Sequence, residues 1–153
     1  MSKISDKIYA AGFFDGEGHL HISVGVTKYG YMASYMKVGI SNTNLLVLEW
    51  LQVNWSGNIH KKKKKENRKQ SYQWTAISHV AVDFLSDVFP YLKVKQEEAK
   101  ICLEFQNHLS TKQRNIHVDI DELNRRLILR NQLDGVKNTN RLITSKRRLE
   151  LVS

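Results

Sequence analysis

With 153 residues, 41% of them hydrophobic, the chain is long enough for one domain with a real core and short for two, so residues 1–153 are expected to form a single domain. Lys and Arg number 24 against 15 acids, a formal charge of +9, of which the segment Lys61–Lys69 (KKKKKENRK) alone carries +6. That clustering points to a polyanion, nucleic acid before an anionic membrane surface; no apolar run nears the roughly 18 residues of a membrane span, so neither secretion nor membrane insertion is expected.

In chain order, Ser5 reads as the cap of a short helix to Phe14, stopped by the glycines of Asp15-Gly16-Glu17-Gly18. Leu20, Ile22, Val24 and Val26 then alternate with polar residues, as in a strand with one wet face. After a turn at Lys28-Tyr29-Gly30, Met36, Val38 and Ile40 repeat the pattern and complete a hairpin. Thr43 is the expected cap of a helix reaching Trp55, ended by Gly57. Ile59–Lys65 and Gln70–Ile77 read as a second hairpin turning at Glu66-Asn67-Arg68. Helical spacing returns over His79–Val88, ended by Pro90, and again over about Lys95–Leu109. After a polar connection, Asp119 and Glu122 predict a capping box for a helix to Leu133, closed by Asp134-Gly135 and followed by a basic tail over 136–153. The single Cys102 lies in the apolar helical pattern and has no disulfide partner. It reads as a core residue of an intracellular protein, in a prokaryotic cytoplasm or an organelle.

This order predicts an α+β domain with an αββαββα core: a four-stranded antiparallel, saddle-like sheet with helices on one face and the other face open. A β ribbon fits the major groove and presents alternate side chains to base edges. His19, His21, Ser23, Thr27, Tyr35, Lys37, Ser41, Gln73 and Thr75 are suitable contacts there. Lys61, Lys63, Lys65, Arg68, Lys69, Lys137 and Arg141 are suited to phosphates. Charge alone does not separate DNA from RNA, and a solvated, lysine-protected sheet edge is the competing reading.

The stretch Ala10–Gly18, AAGFFDGEG, resembles the motif of the LAGLIDADG homing endonuclease family, in the variant with Phe at the middle positions and Glu as second acid. The element order is also that family's, and Pro90-Tyr91-Leu92-Lys93-Val94-Lys95-Gln96 sits where the family places a basic residue. One motif copy resembles the homodimeric members. The resemblance implies metal-dependent cutting of both strands of a long, pseudo-palindromic double-stranded DNA site, leaving short 3′ overhangs and serving intron or intein mobility. It implies that Glu17, with the Gly16 carbonyl, holds Mg²⁺ or Mn²⁺, with no other cofactor. It further implies that Lys95 acts at the scissile phosphate and that Asn42 stands at the position of a water-ordering amide, where helix capping is a rival role. Ala10, Ala11, Gly12 and Phe13 would form the dimer interface, the small residues permitting close helix approach, with packing inside one chain as the alternative. Asp15 has two open roles, ligation or bonding backbone amides. The rival functions are an intron RNA maturase, a DNA-binding protein of the same fold that does not cut, and, more weakly, an architectural nucleic-acid binder driven by the Lys run.

Overall fold

A computed structural model describes residues 2–112 and 117–152, the side chain of Val152 aside; part of the polar connection anticipated before the last helix lies outside the described residues. The first helix, α1 (Ile4–Glu17), starts earlier and ends later than its sequence signals suggest. Its cap is Lys3 rather than Ser5, because the Asp6 carboxylate accepts the Lys3 amide at 3.1 Å. The helix runs through Gly16 and breaks only at Gly18, where a Cβ would overlap the Phe14 ring.

Strands β1 (Gly18–Val26) and β2 (Met32–Asn42) form the first hairpin. Helix α2 (Leu45–Trp55) is capped by Asn44, not Thr43: its side-chain oxygen accepts the Leu46 amide at 3.0 Å. The second hairpin is β3 (Asn58–Lys61) and β4 (Tyr72–Ile77), and the sheet order is β1-β2-β4-β3, all antiparallel. The strand expected to reach Lys65 ends at Lys61, so Lys63 and Lys65 join Arg68 and Lys69 in the connecting loop. Like charges packed along one strand repel, and here the ladder gives way after a single further bond, Lys62 N to Ser71 O at 3.0 Å.

Helices α3 (Ser78–Val88) and α4 (Gln96–Ser110) follow, joined through a 3-10 turn at Phe89–Tyr91. Leu20, Ile22, Met36, Val38, Ile40, Trp74 and Ala76 cover one sheet face and bury against Phe14, Leu51, Phe84 and Phe105 from α1, α2, α3 and α4. Cys102 is buried among them, and that burial pushes its thiol pKa up to about 12, so it packs as an inert core group. A polar knot ties the N-terminus down: Asp87 accepts from Lys7 Nζ at 2.7 Å, Trp55 Nε1 at 2.9 Å and Ser2 Oγ at 3.3 Å. Burial alone would raise the Asp87 pKa, but these donors outweigh it and hold the carboxyl below its usual value.

The last helix, α5 (Ile120–Val152), is continuous over 33 residues and corrects the expected stop at Gly135 and the loose basic tail. Glycine costs a helix about 1 kcal/mol, too little to break one that is fastened on both sides of it. Leu133 is buried, and Lys137 donates to the backbone carbonyl of Leu20 in the edge strand β1. Asp119 caps the start through the Asp121 amide at 3.0 Å, but Glu122 turns inward to Arg126 and His108 rather than closing a capping box.

Candidate active site and nucleic-acid interface

The two acids of the Ala10–Gly18 motif have different surroundings. The Asp15 carboxylate accepts the backbone amides of Lys93 at 2.7 Å and Lys95 at 2.9 Å. Lys95 is the N-cap of α4, so Asp15 places its charge at the positive end of that helix. The Lys95 ammonium in turn donates to the Asp15 carbonyl at 2.6 Å, which brings this lysine to the foot of α1. Asp15→Ala is expected to cost about 1 kcal/mol, the size of a lost helix cap, in urea unfolding, with Asp15→Asn losing less. Wild-type stability in the alanine variant would refute this locking role.

Glu17 is exposed, and its side chain takes part in no hydrogen bond or ion pair among the described residues. Gly16 beside it is exposed, with nothing within 4 Å of a Cβ. No group of three or more His, Cys, Asp or Glu side chains converges among the described residues, so a cation at Glu17 would need oxygen ligands from outside this one chain. Asn42 is less suited to the role expected of it: its side-chain oxygen accepts the Asn44 amide at 2.8 Å, serving the turn into α2.

The register places His19, His21 and Ser23 of β1, Tyr35, Lys37 and Ser41 of β2, and Gln73 of β4 together on the sheet face away from the helices. Other residues expected there are not so placed. Thr75 shares this parity but is only 7% exposed, and its hydroxyl donates to the Asn58 carbonyl at 3.5 Å. Lys61 pairs with Tyr72, whose parity is that of the helix-bearing face. Thr27 lies past the strand end, and its hydroxyl accepts the Tyr31 amide in the turn. In exchange the face gains His60, opposite Gln73. The period-two alternation from Ile59 marks His60 for this face. Both His19 and His21 have lowered pKa values, from burial first and then from the positive charges of Lys37 and Lys137. Near neutral pH they offer hydrogen-bonding groups rather than charge.

Beside the motif, a cleft of about 600 Å³ opens between Gly18, His19 and Lys95 on one side and α5 on the other. From α5 come Lys137, Arg141, Thr144 and Arg148, a helical stripe that meets Lys95 across the gap, with Glu98 in its wall. Arg148 and Thr144 were not anticipated, because a helix stopped at Gly135 has no such stripe.

On α1, Ala10 and Ala11 are fully buried in this chain's own core, which removes them from an expected intermolecular interface. The outward face instead presents Ile8, Tyr9, Gly12 and Gly16, with Phe13 half-buried beside Tyr9.

No protein-family model matches the sequence, and no curated protein is similar to it. Solved structures do resemble it. The archaeal intron-encoded homing endonuclease I-Vdi141I, complexed with DNA, superposes with a TM-score of 0.70 at 21% identity over 85% of this chain and 82% of that one. The homing endonuclease I-CvuI, in complex with its target in the presence of 2 mM Ca, gives 0.69 at 17% identity over 87% and 82%. The homing endonuclease I-TnaI gives 0.64 at 18% identity over 93% and 98%. The chain therefore has the LAGLIDADG homing endonuclease fold, with five α-helices and an open four-stranded antiparallel sheet among the described residues.

Proposed function

We propose that this chain is a site-specific DNA endonuclease that acts as a homodimer and hydrolyses both strands of a pseudo-palindromic target, moving its host intron or intein. The observation that carries this reading is the division of labour at the foot of α1. Asp15 holds Lys95 there, and the neighbouring Glu17 is left exposed and without a partner among the described residues.

The donor set fits a hard divalent cation: Glu17 and the Gly16 carbonyl from each of two chains, with phosphate oxygens completing it. Mg²⁺ or Mn²⁺ so held would supply water activation and charge neutralisation. Lys95 stabilises the negative charge that develops on the scissile phosphate. The outward face of α1 supports pairing of two copies, since Gly12 and Gly16 let helices approach closely while Ile8 and Tyr9 bury apolar area. Each copy then reads one half-site with its polar sheet face. The lysines of the 62–71 loop and the α5 stripe hold backbone phosphates. The neighbours I-CvuI and I-Vdi141I are complexes with DNA, which supports a duplex as the partner of this chain.

The test uses the genomic sequence flanking the reading frame, joined as an uninterrupted allele in a plasmid. Purified protein with Mg²⁺ is expected to give one double-strand cut, abolished by EDTA. Selective binding with no cut under any divalent metal would sink the endonuclease reading and favour a maturase or a binding-only protein.

A further inference from the structure

The centre of the polar sheet face is covered, and by its own side chains. Gly39 lies there, on the central strand β2, directly opposite His19 of β1 on one side and Thr75 of β4 on the other. It is nevertheless buried. The His19 ring lies across it: a Cβ at position 39 would overlap ring atoms Cε1 and Nε2 and would stand 3.1 Å from the Gln73 amide nitrogen. Through this gap His19 reaches Gln73, two strands away, with Nε2 to Nε2 at 3.3 Å. Adjacent strands are about 4.8 Å apart, so only a missing side chain on the middle strand allows that span.

We propose that His19 and Gln73 read one base pair together, as a single hydrogen-bonded unit, and that Gly39 is the specificity-setting position that makes the unit possible. The proposal rests on the DNA-binding reading above. An amide nitrogen only donates, so the ring Nε2 accepts and the ring is neutral with its proton on Nδ1. The unit retains two donors, the ring Nδ1–H and the second Gln73 amide N–H, and one acceptor, Gln73 Oε1. An acceptor beside a donor complements the N6 amino group and N7 of adenine, which is the preference the proposal takes. Because His19 precedes the rest of β1 and lines the cleft with Lys95, the base pair read is the one beside the cutting site.

The experiment measures relative affinity for every single base substitution across the half-site, starting from a target selected out of randomised duplex DNA. Wild type is compared with His19→Ala, Gln73→Ala, Gly39→Ala and the double variant His19→Ala/Gly39→Ala. The first two are expected to lose about tenfold of an adenine preference at the same position, leaving the others unchanged. Gly39→Ala should lose it too, because the ring is displaced, while a thermal melt stays close to wild type. Adding Gly39→Ala to His19→Ala should change nothing further. Relaxation at two different positions, a different preferred base there, or additive effects of Gly39→Ala would overturn the proposal. A wild-type protein that selects no sequence would overturn the DNA reading itself, which separates the two failures.

Discussion

Glu17→Gln is expected to bind the target within about threefold of wild type and to cut it at least about 10³-fold more slowly, the loss that removal of one charge-stabilising group at a reacting centre can bring. The substitution keeps the size and one oxygen of the side chain and removes its charge, which a hard cation needs most. Its structural cost is small, since Glu17 is exposed and holds no partner among the described residues. Binding rests on the sheet face and the lysine loop, and removing an anion near the phosphates does not weaken it. Single-turnover cleavage at saturating protein isolates the chemical step from affinity. A variant that cuts within tenfold of wild type would dismiss Glu17 as the metal ligand and return Asp15 to consideration.

Asp15 offers the useful contrast. Both acids belong to one short motif, in which the resemblance implies the metal role for Glu17 and leaves two roles open for Asp15. The structure separates them by what each touches: Asp15 is engaged with two backbone amides from residues 93 and 95, and Glu17 faces solvent. Asp15 substitutions are therefore expected to show first as lost stability, and Glu17→Gln as lost rate at intact stability.

The elements written in local periodicity were the ones the sequence disclosed. Leu20, Ile22, Met36, Val38 and Ile40 alternate, and alternation alone assigns them to one face of a hairpin. The helix termini were less legible, because Ser5 and Thr43 are good caps in isolation and lose to Lys3, whose amide the Asp6 carboxylate accepts, and to Asn44, whose side-chain oxygen accepts the Leu46 amide. Gly135 looked like a stop, yet the decision belonged to Leu133 and Lys137, whose partners are far away in the chain. The same applies to the site. Glu17 and Lys95 were found through the resemblance, but the bond joining Lys95 to Asp15 spans 80 positions and leaves no local trace. Thr75 and Gln73 are equivalent by alternation; only the tertiary structure shows that Thr75 is buried with its hydroxyl on the Asn58 carbonyl while Gln73 stays partly exposed. Ala10 and Ala11 carry a small-residue signal that serves helix packing within a chain as well as between chains, and the burial decides for the former.

The largest stability effect is expected far from the motif, at Glu122. Its carboxylate, in a residue only 6% exposed, accepts from Arg126 Nε and bonds His108 Nε2, while Arg126 itself is 4% exposed and reaches the Ser34 hydroxyl of β2. Glu122→Ala strands a buried guanidinium without its counter-charge, a change that costs about 3–5 kcal/mol. The double variant Glu122→Leu/Arg126→Met removes both charges and is expected to recover most of that loss, because the pair's attraction is largely offset by its desolvation. Burial would raise the Glu122 pKa, but the bonds from Arg126 and His108 outweigh it and leave the value lowered. Its folded pKa lies below its unfolded one, so the contribution is complete above about pH 4–5 and is lost as pH falls through the folded value. Urea midpoints of wild type and Glu122→Ala should therefore draw together as pH is lowered and the acid is protonated. A gap that does not change as pH falls would show that the charge of Glu122 is not what anchors the root of α5. That anchor matters for the site, because the stripe from Lys137 to Arg148 faces Lys95 only while the first turns of the same helix are held against β2.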